Sequence, residues 1–467
     1  MRRPPPLAAT RTLVTLVVLA AACARSPSPD ERPRLAGAAR GWNVLLLSVD
    51  TLRADRLGAY GYRRHATSPR FDALLARGVR FERAMAPRAS TWPSLATVLT
   101  GLYPSGHGVV ENGYALPDEL PTLPLQLRQA GYRTGAFLSN MCKANHQGWD
   151  SFACAGGADG RANREALAWT ATLDGGRPFF LWVHYMGAHP PYYNGGDLAA
   201  RVLDPGYAGP LAPRRHVLDR VMLERQPLGE RDLAHLDAIY DAAVMGTDRR
   251  AGELLDGLAA QGRLERTLIV FLADHGEELY QHHGYLYHAC SVYQTTLHVP
   301  LALVAPGLLA EGAAVPQTVE LVDLAPTVYA LLGLPTPAEP HGVPLVGYLE
   351  RPGEGGAGKP AYSEYGTSRV HTVLAGRFKL IDNPDGLSPV CLEDAPPDFY
   401  PIRRTELYDL EADPGETRDL AAGHPARVAE LQQLIRRRFA DLGRRDGPQE
   451  IPEELKRELR ALGYIAN

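Results

Sequence analysis

Residues Asn43 to Val49 read Asn-Val-Leu-Leu-Leu-Ser-Val, an apolar run without alternation that stops at Asp50. A strand covered by protein on both faces looks like this, whereas a half-solvated strand alternates. Three further runs share the character: Phe179 to Tyr185, Leu268 to Ala273 and Pro300 to Ala305. Helical patterns lie between them. Leu95 to Leu99 follows a Pro-Ser start, Leu123 to Ala130 leads to Gly131, Leu233 to Leu258 is long and amphipathic, and Asp323 to Leu332 ends at Gly333. Strands alternating with helices predict an α/β fold, a mostly parallel central sheet flanked by helices.

In such sheets ligands bind beyond the carboxyl ends of the strands. Here the first run delivers Asp50, the second leads through His184 to His189, and the third delivers Asp274 and His275. Asp50, Asp274 and His275 are the oxygen and nitrogen donors a divalent cation takes. Adjacent residues of a regular strand point to opposite faces, so Asp274 and His275 reach one ion only if the strand breaks, and Gly276 suits a break. Between Pro87 and Leu95, hydroxyls of Ser90, Thr91 and Ser94 stand at a helix start. Taken alone, that segment reads first as helix capping; beside a metal, one hydroxyl becomes a nucleophile. His189, and the cluster His282, His283 and His288, can neutralise a tetrahedral anion or protonate a leaving oxygen. For His282 a surface loop is the bland alternative.

The termini read differently. Arg2, Arg3 and Arg11 precede the apolar Leu13 to Ala22, too short to span a bilayer and ending in small residues, which is the pattern of a secretory signal. Leu19-Ala-Ala-Ala-Cys23 resembles a bacterial lipobox. The expected organisation is a signal over 1–23, a Pro/Ser-rich tether over 24–40, a catalytic domain over 41–352 and a C-terminal α+β subdomain over 360–467, with Gly353 to Gly358 as linker. In that subdomain Tyr362 to Ile381 and Glu406 to Leu410 suggest an antiparallel sheet, and Arg427 to Leu442 and Glu453 to Leu462 amphipathic helices. The expected location is the bacterial cell envelope, with membrane contact through the lipid anchor only. Export makes disulfides possible among Cys142, Cys154, Cys290 and Cys391; Cys142 and Cys154 are near enough to close a small loop, and buried thiols are as good a reading for Cys290 and Cys391. With 49 Lys and Arg against 53 Asp and Glu and no basic stripe, nucleic acid is not an expected partner.

Six ordered segments resemble the sulfatases, members of the alkaline phosphatase superfamily. These are Asn43-Val-Leu-Leu-Leu-Ser-Val-Asp50 onward to Gly61, Thr91-x-Pro-Ser-x-Ala-Thr-x-Leu-Thr-Gly-Leu-Tyr-Pro104, Gly131-Tyr-Arg-Thr134, Trp182 to Tyr192, Ala273-Asp-His-Gly-Glu-Glu-Leu279, and Glu406 to Glu416. The resemblance implies one divalent metal on Asp50, Asp274 and His275, with Thr91 as fourth contributor. It implies His189 and His288 at the ester anion or leaving oxygen, and puts Thr51 where relatives place a second metal carboxylate or amide. Thr51 and His283 are expected to touch substrate. The resemblance favours Ca²⁺, and a Thr nucleophile shifts weight to Mn²⁺ or Zn²⁺. Two departures stand out. Thr91 occupies the position of the Cys or Ser oxidised to formylglycine, and Leu95 and Ser139 replace the Arg and Lys that usually hold sulfate. Superfamily members that handle phosphorus use an unmodified Thr. The expected function is thus metal-dependent hydrolysis of sulfate or phosphate esters of a small molecule, glycan or lipid, with Thr91 as nucleophile. The alternatives are a phosphoethanolamine-type phosphotransferase or a non-catalytic binding protein that kept the fold.

Overall fold

The computed structural model describes residues 35–140, 147–337, 339–356, 358–365, 369–387 and 398–440, together with 1, 389, 391, 395, 396, 442, 453 and 457. Among the described residues twelve strands form two sheets: β1 Asn43–Val49, β2 Val79–Met85, β3 Arg133–Leu138, β4 Ser151–Cys154, β5 Phe179–Tyr185, β6 Thr267–Ala273, β7 His298–Val304, β8 Ala313–Glu320, β9 Ala361–Tyr365, β10 Val370–Ala375, β11 Phe378–Asp382 and β12 Thr405–Asp409. The larger sheet has the order β4-β3-β5-β1-β6-β7-β2-β8, and the smaller is β12-β11-β10-β9. β4, β3, β5, β1 and β6 pair in parallel. The smaller sheet is antiparallel throughout.

The continuous apolar runs are the interior strands. All residues of β5 and β6 and all but the first of β1 are buried. Burying a Leu side chain there contributes about 1.5–3 kcal/mol relative to exposure, and truncating one such as Leu46 to Ala costs about 2–5 kcal/mol. The run Pro300 to Ala305 has the same composition but a different direction. β7 is antiparallel to both β6 and β2. The chain leaves β6 at the site and returns through residues 274–297 without a crossover helix, so the next strand runs back beside it. Apolar continuity reports burial on two faces and carries no information about direction.

Four strands give little signal in the sequence. β2 carries Arg80, Glu82 and Arg83 near the edge of the sheet, and β3 has Gly135 in its interior. That glycine is needed because a Cβ there would lie 2.9 Å from the Trp169 ring. At the start of the described chain, Leu35 to Arg40 fall within the compositional tether but pack onto the fold. Leu35 and Ala39 are buried, and Gly37 N and Ala39 N donate to Ala330 O and Leu331 O of the helix Leu324–Leu332. Cys290 and Cys391 form a disulfide; Cys142 and Cys23 lie outside the described residues, as does most of Glu453 to Leu462. No helix among the described residues is long and apolar enough to cross a membrane.

Candidate functional site

The order β5-β1-β6 brings three carboxyl ends side by side, with Ser48 opposite His184 and Val49 opposite Ala273. Asp50 continues β1, and Asp274 and His275 continue β6. All three are fully buried. Thr51 N and His275 N donate to Asp274 Oδ1 at 3.3 and 2.8 Å, while Asp274 Oδ2 has no hydrogen bond among the described residues. His275 Nδ1 donates to Gly276 O at 3.0 Å, which leaves the lone pair on Nε2. That Nε2 lies 3.6 Å from both Asp50 Oδ1 and Asp274 Oδ2. Gly276 serves here by its size: a Cβ would meet Thr295 O at 2.2 Å, where the chain of the returning loop passes. Thr51 adopts a left-handed conformation with φ of 56°, and its Oγ1 is buried without a hydrogen bond among the described residues. Strain of this kind persists where surrounding structure over-determines it, commonly at functional sites.

Thr91 begins the buried helix Thr91–Thr100. Its Oγ1 lies 3.4 Å from His275 Nε2. The capping reading of the hydroxyls is not what the structure shows. Ser90 is the N-cap residue but its side chain makes no cap bond, and Ser94 Oγ donates to Asp274 O at 2.7 Å. The helix start is thus tied to the metal-type cluster.

His189 and His288 complete one wall. Their rings stand 5.2 Å apart, and the His288 ring is 4.5 Å from that of His275. His189 Nδ1 donates to Pro190 O at 2.7 Å, and His288 Nδ1 lies 3.0 Å from Glu277 Oε1. Burial pushes His184 and His189 down to about 3 and holds His288 well below the usual imidazole range, with the neighbouring histidines adding to the effect on His288. Burial raises Asp274 to about 8, and raises Glu277 well above the usual carboxylate range with help from Asp50. The imidazoles are therefore neutral, and two buried carboxylates want a positive partner.

Four residues of the site escape the sequence reading of its roles. His184, inside β5, is one. Asp50, His184 and Asp274 offer ligand atoms all within 4.8 Å of one another. His184 Nδ1 lies 2.8 Å from Ser48 Oγ, which itself accepts from Trp182 Nε1 at 2.9 Å, and its Nε2 faces Asp50 Oδ2 at 4.0 Å. Its signal was an imidazole in an otherwise apolar run, one step before the strand end. Asn140 Nδ2 donates to Asp50 Oδ2 at 2.7 Å. Glu277 backs His288. Arg88, three residues before Thr91, is almost fully buried. Its Nη2 donates to Glu111 Oε1 at 2.5 Å, it stacks 4.8 Å over Tyr365, and its Nε has no hydrogen bond among the described residues. His283 is placed elsewhere, exposed, with Nε2 3.2 Å from Tyr293 OH and its ring edge-on to Tyr400. His282 is buried against Glu278 and Tyr293.

The donor set suits a divalent cation. Asp50, Asp274 and His275 converge, Asp274 Oδ2 lacks a hydrogen bond, and Thr91 Oγ1 and His184 Nε2 stand at the edge of the cluster.

Comparison with known proteins gives a consistent picture. The sulfatase family matches residues 42–334. N-acetylglucosamine-6-O-sulfatase of Bacteroides thetaiotaomicron is 22% identical, over 91% of this chain and 89% of its own. The multifunctional alkaline phosphatase superfamily protein PehA of Trinickia caryophylli is 25% identical, over 83% and 92%. The crystal structure of the phosphonate monoester hydrolase of Agrobacterium radiobacter superposes with a TM-score of 0.68 over 86% of this chain and 96% of that one, at 22% identity.

Proposed function

Since the chain belongs to the sulfatase family, whose match spans residues 42–334, we propose that this ester hydrolase is metal-dependent and uses the unmodified Thr91 hydroxyl as its nucleophile on sulfate or phosphate esters. The observation that carries the reading is Thr91 Oγ1 at 3.4 Å from His275 Nε2, which is itself 3.6 Å from Asp50 and Asp274.

Asp50, Asp274 and His275 would hold the cation, with Thr91 Oγ1 as fourth donor and His184 Nε2 within reach. When bound, a divalent cation there would offset the two carboxylates, lower the pKa of a neighbouring hydroxyl and draw in an anionic ester. Two carboxylates with one or two imidazoles accept Ca²⁺, Mn²⁺ or Zn²⁺.

Thr91 is oriented by its place at the helix start, where the dipole favours negative charge on Oγ1. Its β-methyl limits χ1. In the chemical step the Thr91 hydroxyl gives up its proton to solvent, and a Thr91 Oγ1–phosphorus or –sulfur bond forms as the bond to the leaving oxygen breaks. The leaving oxygen takes a proton from His288 Nε2, which Glu277 supplies through Nδ1 when both are neutral. His189 Nε2 keeps its lone pair, because Nδ1 is committed to Pro190 O. It is suited to accept a proton from the water that then cleaves the Thr ester and to pass that proton to Thr91 Oγ1, which restores the hydroxyl. Phosphorus resolves such an ester by in-line attack more readily than sulfur. With Leu95 and Ser139 at the positions of the usual cations, this site leans to phosphoryl chemistry. Arg88 supplies a buried cation from a different position. The relatives range from an N-acetylglucosamine-6-O-sulfatase to a phosphonate monoester hydrolase. The substrate class proposed here is a small-molecule, glycan or lipid ester.

The test is turnover by metal-loaded full-length protein of an aryl sulfate, a phosphate monoester and a phosphodiester with the same leaving group. At least one is hydrolysed, and Thr91→Ala abolishes that activity. Turnover undiminished in Thr91→Ala overturns the covalent route.

A further inference from the structure

Arg215 opens the helix Arg215–Leu223, in the segment between β5 and the long helix Glu230–Ala260. Three contacts fix the plane of its guanidinium. Nε lies 3.0 Å from Asp219 Oδ1, the group stacks 4.4 Å over the Tyr287 ring, and Tyr287 OH donates to the same Asp219 Oδ1 at 2.6 Å. Nη1 and Nη2 make no hydrogen bond among the described residues, and 38% of the side chain is exposed. A planar fork held by its rear nitrogen and by stacking, with its front donors open, is a preorganised reader of a two-oxygen anion.

Its position relative to the site gives the fork a purpose. Tyr287, on which it rests, immediately precedes His288, and the His288 ring is 5.2 Å from His189. Arg88 instead lies three residues before Thr91, the proposed nucleophile. Nucleophile and leaving oxygen stand at opposite ends of the reacting atom in an in-line displacement. The cation preceding Thr91 thus serves the nucleophile's end, and the cation stacked on Tyr287, next to the proposed acid His288, serves the leaving group's end.

We propose that Arg215 binds an anionic substituent on the leaving group, so that the natural substrate is an ester of an alcohol or phenol that itself carries a carboxylate, sulfate or phosphate. This rests on the ester-hydrolase reading above and on the roles it gives Thr91 and His288.

The experiment uses metal-loaded full-length protein and matched aryl esters that differ only in a ring carboxylate, its methyl ester, or a sulfonate. For wild type, kcat/KM favours the charged esters over the neutral twin by about 10-fold or more, the range of a charge-assisted contact. Arg215→Met removes most of that preference, through KM, and raised salt weakens it. Arg215→Lys, which keeps the charge without the fork, retains part of it and decides the matter should the Met variant fail to fold. A carboxylate-only preference assigns the carboxylate; equal preference for the sulfonate assigns any two-oxygen anion. Both support the proposal. If Arg215→Met and Arg215→Lys lower charged and neutral esters by the same factor, Arg215 acts on the ester's own charge or on packing, and the proposal is overturned. If wild type hydrolyses none of the esters, the hydrolase reading falls, and equilibrium binding of the same set to wild type and Arg215→Met settles Arg215. Equal affinity for charged and neutral members then overturns it.

Discussion

Thr91 Oγ1 and His275 Nε2 meet at 3.4 Å across 184 residues of chain. Each is held from behind: Ser94 ties the Thr91 helix to Asp274 O, and Gly276 O takes the His275 Nδ1 proton. Removing the hydroxyl should therefore remove the reaction with little effect on the fold. Thr91→Ala is expected to lower kcat by about 10³-fold or more, and Thr91→Ser to keep measurable activity. Intact-mass analysis of the peptide around Thr91 should show no oxidation. Retained activity in Thr91→Ala with loss in Ser90→Ala would move the nucleophile one residue upstream.

Metal content should follow the buried carboxylates. Asp50→Asn and Asp274→Asn are each expected to lose the ion, measured by elemental analysis after dialysis. His184→Gln is expected to weaken affinity without abolishing it, and Asn140→Ala to weaken it about 10-fold or more by freeing Asp50. Full metal in the Asp50→Asn, Asp274→Asn double variant would remove the site.

Burial raises Asp274 to about 8. In the metal-free protein the folded state then holds a proton that the unfolded state releases near the ordinary Asp value of about 4. That contribution to stability is complete below about pH 4 and is lost as pH rises through about 8. A cation competes with the same proton, so its affinity should improve about tenfold per pH unit up to about pH 8 and then level. Chelator competition from pH 6 to 9 measures the second effect, and urea unfolding of wild type against Asp274→Asn measures the first. A pH-independent affinity would show that Asp274 is already ionised.

The apolar run ending at Cys23 motivates a lipid anchor. Cys23→Ser is expected to move the protein from the membrane fraction of a bacterial host to the soluble fraction. Unchanged fractionation would leave only an exported protein, or none.

The interior of the fold was legible because burial on both faces leaves a plain mark. β1 and β5 match their apolar runs residue for residue, and β6 starts one residue earlier. The direction of β7 was hidden for the same reason, since its burial pattern is that of its parallel neighbours. The oxygen donors of the site were legible as charged residues at strand ends. His184 was less so, because a candidate ligand within a strand differs from a core residue only by what lies across the ladder. Arg88 and Arg215 carry no sequence signal at all. Their meaning depends on Tyr365 and Tyr287, one brought by the second sheet and one by the loop after β6.

The loop after β6 is pinned to the smaller sheet and its approaches at four points. Cys290 is bonded to Cys391, Tyr400 OH donates to Glu278, Tyr293 OH to Glu406, and Gln294 N to Glu416. His288 rides on that loop, so the architecture has two sheets while the position of the proposed proton donor belongs to both. Heating that loosens only the smaller sheet would then silence catalysis while β1, β5 and β6 remain intact and the cation stays bound. Inactivation and global unfolding would part company, with reducing agent widening the gap from its low-temperature side.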